Sequence, residues 1–178
     1  MNLGSNGVSL GGAAAGTVIL VLVVQRWWLK GKKGAKGEDG GGGRDWRQLV
    51  PFTLSGLYGV LTILCAGGLL GGAGKIVLWG GNKVGDFALV YGVGGRTTDV
   101  TRASLAPLSD GGNVMVLIAT AMVIGAFKWS KKLPKKQLAL GVICGICLGL
   151  NGGVAGALAT PLANFANAGG AWWSGVVQ

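Results

Sequence analysis

Three groups of residues have the types and spacing to do chemistry: the pair Cys144-x-x-Cys147, the run Gly-Gly-Ala-Gly-Lys at 71–75, and six acidic side chains. A Cys-x-x-Cys pair exchanges thiols and disulfides when one sulfur is an exposed thiolate stabilised by a nearby cation or helix N-terminus. Here both sulfurs fall inside an apolar stretch, 138–161, that contains no basic residue. The third cysteine, Cys65, lies in a different stretch, and the chain has no histidine. A four-ligand metal site therefore cannot be assembled from one chain, and the cysteines read as small buried apolar residues. The glycine-rich run lacks the spacing of a phosphate loop, and Ile76 stands where a Ser or Thr would bind magnesium. Without histidine the common nucleophilic triads are also excluded. Glu38 is the sole glutamate and sits in a glycine-rich linker, while the five Asp fall between apolar stretches. No ionisable group occupies the middle of such a stretch, where ion-coupled transporters and proton relays carry one. The expectation is a protein that is not an enzyme and uses no cofactor and no metal.

The elements that would position these residues are apolar. Only 12% of the 178 residues are charged, against about a quarter in a soluble domain. Four stretches, 8–25, 49–72, 113–129 and 138–161, approach the roughly 17–25 residues that cross a bilayer. None has the polar face a soluble helix needs. This predicts an all-α integral membrane fold of four transmembrane helices in two helical hairpins. The division is an outer N-terminus with the first span (1–25), a basic Gly-rich loop (26–48), a second span (49–72) and an outer segment (73–112). A third span (113–129), a basic turn (130–137), a fourth span (138–161) and an outer tail (162–178) follow.

Orientation follows from the Lys/Arg bias of short loops. Twelve of the sixteen basic residues fall in or beside two of them: Arg26, Lys30, Lys32, Lys33, Lys36, Arg44 and Arg47 in one, and Lys128, Lys131, Lys132, Lys135 and Lys136 in the other. Both loops would face the cytoplasm, with the two termini outside the plasma membrane. The N-terminus has no basic region and no small-residue cleavage site, so the first span reads as an uncleaved anchor. Trp27, Trp28, Trp129, Trp172 and Trp173 read as interfacial anchors, since amphipathic rings favour the headgroup level. Lys30, Lys32, Lys33, Lys36, Lys128, Lys131, Lys132, Lys135 and Lys136 would contact phosphate: that of anionic inner-leaflet lipids, or that of nucleic acid without sequence preference.

In the outer segment, residues 75–79 and 87–91 are rich in strand formers and flank a turn-forming stretch, 80–86. An extracellular β-hairpin is expected there, with a short helix over 97–105 before Pro107. An isolated hairpin is marginal in water, so this one would rest on its own helices, on lipid or on a protein partner at the outer face.

Gly141, Gly145, Gly149 and Gly153 recur every four residues. At 100° per residue such a stripe drifts only about 40° per step, so it stays on one helix face and permits close helix approach. Gly12 and Gly16 form a shorter version, as do Ala121 and Gly125. The stripe serves equally for packing within one subunit or between subunits of a homo-oligomer. The opposite face carries Cys144, Cys147 and Asn151. As the most polar group within a predicted span, Asn151 needs a hydrogen-bond partner. That partner would be Thr62, Thr120 or a backbone carbonyl, or a ring of Asn151 at a subunit contact or narrow pore.

These features fit a self-assembling membrane protein that forms or scaffolds a conduit, of the kind used in plasmid DNA transfer or a secretion-like machine. The Gly-, Ala- and Val-heavy composition with basic linkers points to a bacterial or phage origin. The alternatives are a holin-type lysis protein of phage and a non-channel membrane adaptor or structural assembly subunit.

Overall fold

The computed structural model describes residues 8–33, 46–65, 67–100, 108–129, 134–151 and 154–177. Among them lie six α-helices: α1 (Leu10–Lys33), α2 (Val50–Leu64), α3 (Gly68–Phe87), α4 (Asp110–Trp129), α5 (Lys135–Gly149) and α6 (Val154–Val177). A 3-10 turn, Trp46–Gln48, precedes α2, and a π-helical turn, Ala88–Gly92, continues α3. There is no strand among the described residues. An isolated antiparallel bridge joins Ser9 to Asp99, with Leu10 N–H donating to the Thr98 carbonyl and Val100 N–H to the Val8 carbonyl.

The four-helix transmembrane architecture is overturned, because two of the four apolar stretches are broken. In the 49–72 stretch α2 stops at Leu64, and Cys65 is extended. Gly67 is extended as well, and Gly68 takes φ +74°, a left-handed conformation glycine adopts without a Cβ clash. The chain then leaves at 109° to α2. In the 138–161 stretch α5 stops at Gly149, and α6 starts at Val154. The intervening Asn-Gly-Gly at 151–153 is a helix-terminating sequence. The 15-residue helices that result, α2 and α5, are each roughly 22 Å long, short of the roughly 30 Å hydrocarbon core. Among the described residues one helical segment, Leu10–Leu29 of α1, is long and apolar enough to cross a membrane, and α2 with α3 would add a second only if that bent pair counts as one span. The apolar part of α4, Asp110–Gly125, is shorter.

The outer β-hairpin is likewise absent: residues 68–87 form one continuous helix. Strand propensity at Ile76 and Val77 is overridden by a helical pattern of small residues. Gly71, Gly74, Leu78 and Gly85 are the buried positions of α3, with half-buried Gly81 between them. Their three- and four-residue spacing puts one face of α3 against α1, α2 and α5. The helix expected over 97–105 is not seen at 97–100, which is non-helical and carries the Ser9–Asp99 bridge; residues 101–105 lie outside the described residues.

The packing centres on α5, which lies along α2 and also contacts α1 and α3, while α4 and α6 form a second pair. The hydrophobic cluster at the centre comprises Val8, Ala13, Ile63, Leu78, Ile146 and Leu150.

Candidate functional site: a small-residue core and a basic, tryptophan-lined end

The glycines of α5 are consumed within the chain. A methyl group placed on Gly141 would meet Ser55 Oγ, the Phe52 carbonyl and the Gly56 amide, and one on Gly145 would meet the Gly56 backbone. At Gly149 it would touch Val60 and Ile63 at 3.2–3.3 Å. Contacts therefore climb both helices together: α2 and α5 run parallel with backbones in near contact. Gly59 of α2 answers from the other side against the Val142 carbonyl. Gly153 lies outside the described residues.

The first-span glycines pack the same way. Gly12 faces Asn82 of α3, and Gly16 faces Cys147 and Leu148 of α5. Cys144 donates its S–H to the Gly16 carbonyl at 3.3 Å, and Cys147 has no exposed surface. These thiols fill space between helices, with no access for a redox partner. Asn151 is half-buried at the end of α5, where its N–H donates to the Leu148 carbonyl. It is outside the helix, so it does not present an amide from mid-span. Thr62 and Thr120 donate to carbonyls of their own helices, at Tyr58 and Val116.

One charged group not expected in the packing is there. Asp86, assigned by sequence to a turn, sits on α3 with its Oδ1 enclosed and no hydrogen-bond partner among the described residues. The carboxylate lies beside Gly11 in the first turn of α1. The positive end of a helix dipole favours a negative charge there. The same turn is capped by Ser9, whose Oγ accepts from Gly12 N–H at 3.0 Å, while Asn82 Oδ1 accepts from Ser9 N–H at 3.3 Å.

Arg26, Trp27, Gln48, Lys136 and Gln137 meet around a cleft of about 120 Å³ at one end of the molecule. Trp27 stacks edge-on against Trp46 (ring centroids 5.9 Å, 62°) and against Trp28 (6.5 Å, 66°). These ring contacts tie the end of α1 to the start of α2. Lys30, Lys32 and Lys33 lie on the last turns of α1 rather than in a loop, and Lys135 and Lys136 open α5. Lys128 and Trp129, both exposed, end α4, and Trp172 and Trp173 are exposed near the end of α6. Lys36, Lys131 and Lys132 lie outside the described residues.

Comparison with known proteins returns no match to a protein family, a curated protein or a solved structure. Function rests on this geometry alone.

Sequence reasoning missed Gly56 and Gly59 of α2, the face of α3 and Asp86. The signal for the first two was present: Phe52, Ser55, Gly59, Val60 and Ile63 recur at three- and four-residue spacing on the buried side of α2.

Proposed function

We propose that the chain is a membrane-embedded assembly protein whose copies associate to form or scaffold a conduit. One observation carries the membrane part: around the Val8, Leu78, Ile146 and Leu150 cluster the closest helix contacts are made by small residues, while many large apolar side chains face outward. The interior holds Gly71, Gly85, Gly145, Cys147, Ala159 and Ala163, whereas Leu69, Trp129, Val93, Tyr91, Phe165 and Trp172 are 70–94% exposed. In water this distribution would leave many large apolar side chains exposed, the feature that marks a surface covered by lipid or by a partner. In lipid it is the economical one, because helix association there depends on close approach of small residues rather than on burying large ones.

Self-association is supported by the outer face of α3, where Ile76, Trp79, Val84 and Phe87 are exposed and Gly80 meets nothing within 4 Å. The glycine stripe of α5 no longer contributes to this argument, since it is filled by α2. That observation favours a second reading, a non-channel structural subunit that docks into a larger machine.

Membrane flotation and native mass spectrometry in detergent test the proposal. The expected result is carbonate-resistant membrane association and a defined oligomer. Release by carbonate sinks the membrane reading, and a monomer at every detergent concentration sinks self-assembly. Conductance in planar bilayers separates the two readings: a conduit conducts, a scaffold subunit does not.

A further inference from the structure

We propose that the cleft between the ends of α1, α2 and α5 binds the phosphate of an anionic lipid headgroup. The inference rests on the membrane reading above and assigns it one specific ligand contact. Two cations, Arg26 and Lys136, converge on the cleft from different helices, with the amides of Gln48 and Gln137 beside them. A guanidinium forks onto two phosphate oxygens, while an ammonium supplies a point charge. The amide N–H groups can donate to the remaining oxygens.

The surroundings favour an anion. Neither α2 nor α5 has an acidic residue in its first turn, and both helices begin at this end. The carboxylates among the described residues, Asp86, Asp99 and Asp110, belong to α3, to the segment after it and to α4, none of which lines the cleft.

The surroundings also favour an amphiphile. Val23 and Leu140 form an apolar wall behind the polar groups, suited to the glycerol and first methylenes of a lipid. The indole cluster of Trp27, Trp28 and Trp46 places the cleft where such rings reside, at headgroup level. At about 120 Å³ the cleft takes a phosphate-sized group and is too small for a whole drug-sized ligand, which needs roughly 300 Å³ or more. A duplex phosphate on a stiff backbone would reach the exposed lysines but not enter between helices.

The test is native mass spectrometry of the full chain in neutral detergent, titrated with phosphatidylglycerol, phosphatidylcholine, inorganic phosphate or duplex DNA. One tightly held phosphatidylglycerol per chain is expected. R26Q/K136Q should weaken it on the order of 30-fold, taking each basic contact at its usual worth. The charge-matched K83Q/K128Q, on α3 and α4 and outside the cleft, should weaken it less than threefold by the same reasoning, since exposed distant charges are screened. Equal losses in the two variants would mean diffuse attraction and overturn the cleft. Equal uptake of phosphatidylcholine would overturn the requirement for an anionic lipid. Inorganic phosphate or duplex DNA displacing the lipid at comparable concentration would overturn the lipid as occupant. Flotation, run in parallel, keeps the premises apart: a protein that floats yet shows no lipid preference loses only the cleft, and one that does not float loses both readings.

Discussion

The α2–α5 pair and the α4–α6 pair are both built on glycine, yet they are held together differently. Between α2 and α5 the close approach runs the length of both helices, from Gly141 at Ser55 to Gly149 at Ile63. The hydroxyls at this contact, Ser55 and Thr62, are turned back to carbonyls of their own helix. The pair therefore depends on shape alone. Between α4 and α6 the backbone contact is concentrated at one end, Gly111 against Gly170. There Asn167 Oδ1 accepts from both the backbone N–H and the hydroxyl of Ser109, at 2.8 and 3.0 Å. Dispersion forces fade with sub-ångström gaps, so the first pair should be intolerant of added volume. The second should be sensitive to loss of a polar clamp.

The largest effect should come from volume. Gly145→Leu drives a branched side chain into the backbone of Gly56, which cannot move aside as a flexible side chain would. The expected loss is about 3 kcal/mol or more, read as a lowered unfolding temperature in detergent. Gly125→Leu on α4, where a Cβ meets nothing within 4 Å, should stay within about 0.5 kcal/mol of wild type. Equal melting of the two variants would erase the distinction between a filled face and an open one. A smaller effect is expected from Asn167→Ala: about 1 kcal/mol, localised to the α4–α6 end. Hydrogen exchange should quicken around Ser109 to Asn113 while the α2–α5 amides keep their protection. Uniform quickening would show that the two pairs unfold as one unit.

How far the sequence speaks differs between these regions for physical reasons. The helix α1 is legible because its apolar run is uninterrupted, and the α5 stripe is legible as a packing face because its period matches a helix. What hydropathy cannot show is where a helix stops, since averaging over a long window hides a break of three or four residues. The Gly67–Gly68 corner and the Asn151 terminus are both apolar enough on average to pass unnoticed, although Asn-Gly-Gly is a turn signal in its own right. The error in α3 has another origin. Strand preference is local to five residues, while the pattern from Gly71 to Gly85 needs fifteen to emerge, and tertiary packing decides such conflicts. The basic end is legible as charge, but its convergence into one cleft is not. Arg26 and Lys136 meet only because α1 and α5 run antiparallel, and the relevant register lies in the contact of Gly16 with Cys144 and Cys147.

The smallest and most selective test concerns the link between the two pairs. Tyr58 Oη and Thr120 Oγ1 lie 2.9 Å apart, a side-chain hydrogen bond from α2 to α4. Thr120 already donates to the Val116 carbonyl at 2.7 Å, which leaves Tyr58 as the donor across the gap. Removing that donor by Tyr58→Phe leaves Thr120 satisfied through its own helix, so no buried donor is orphaned and the cost stays low. A double-mutant cycle with Thr120→Val should give a coupling of about 0.6 kcal/mol, the usual worth of an interhelical bond in lipid. It is best read from unfolding in mixed micelles, where the value exceeds the error of matched titrations. A coupling of zero would mean that α4 and α6 are positioned by their packing against α2 and α5 without this bond. A coupling of several kcal/mol would mean that this bond, rather than the α2–α5 glycine contact, sets how the two halves associate.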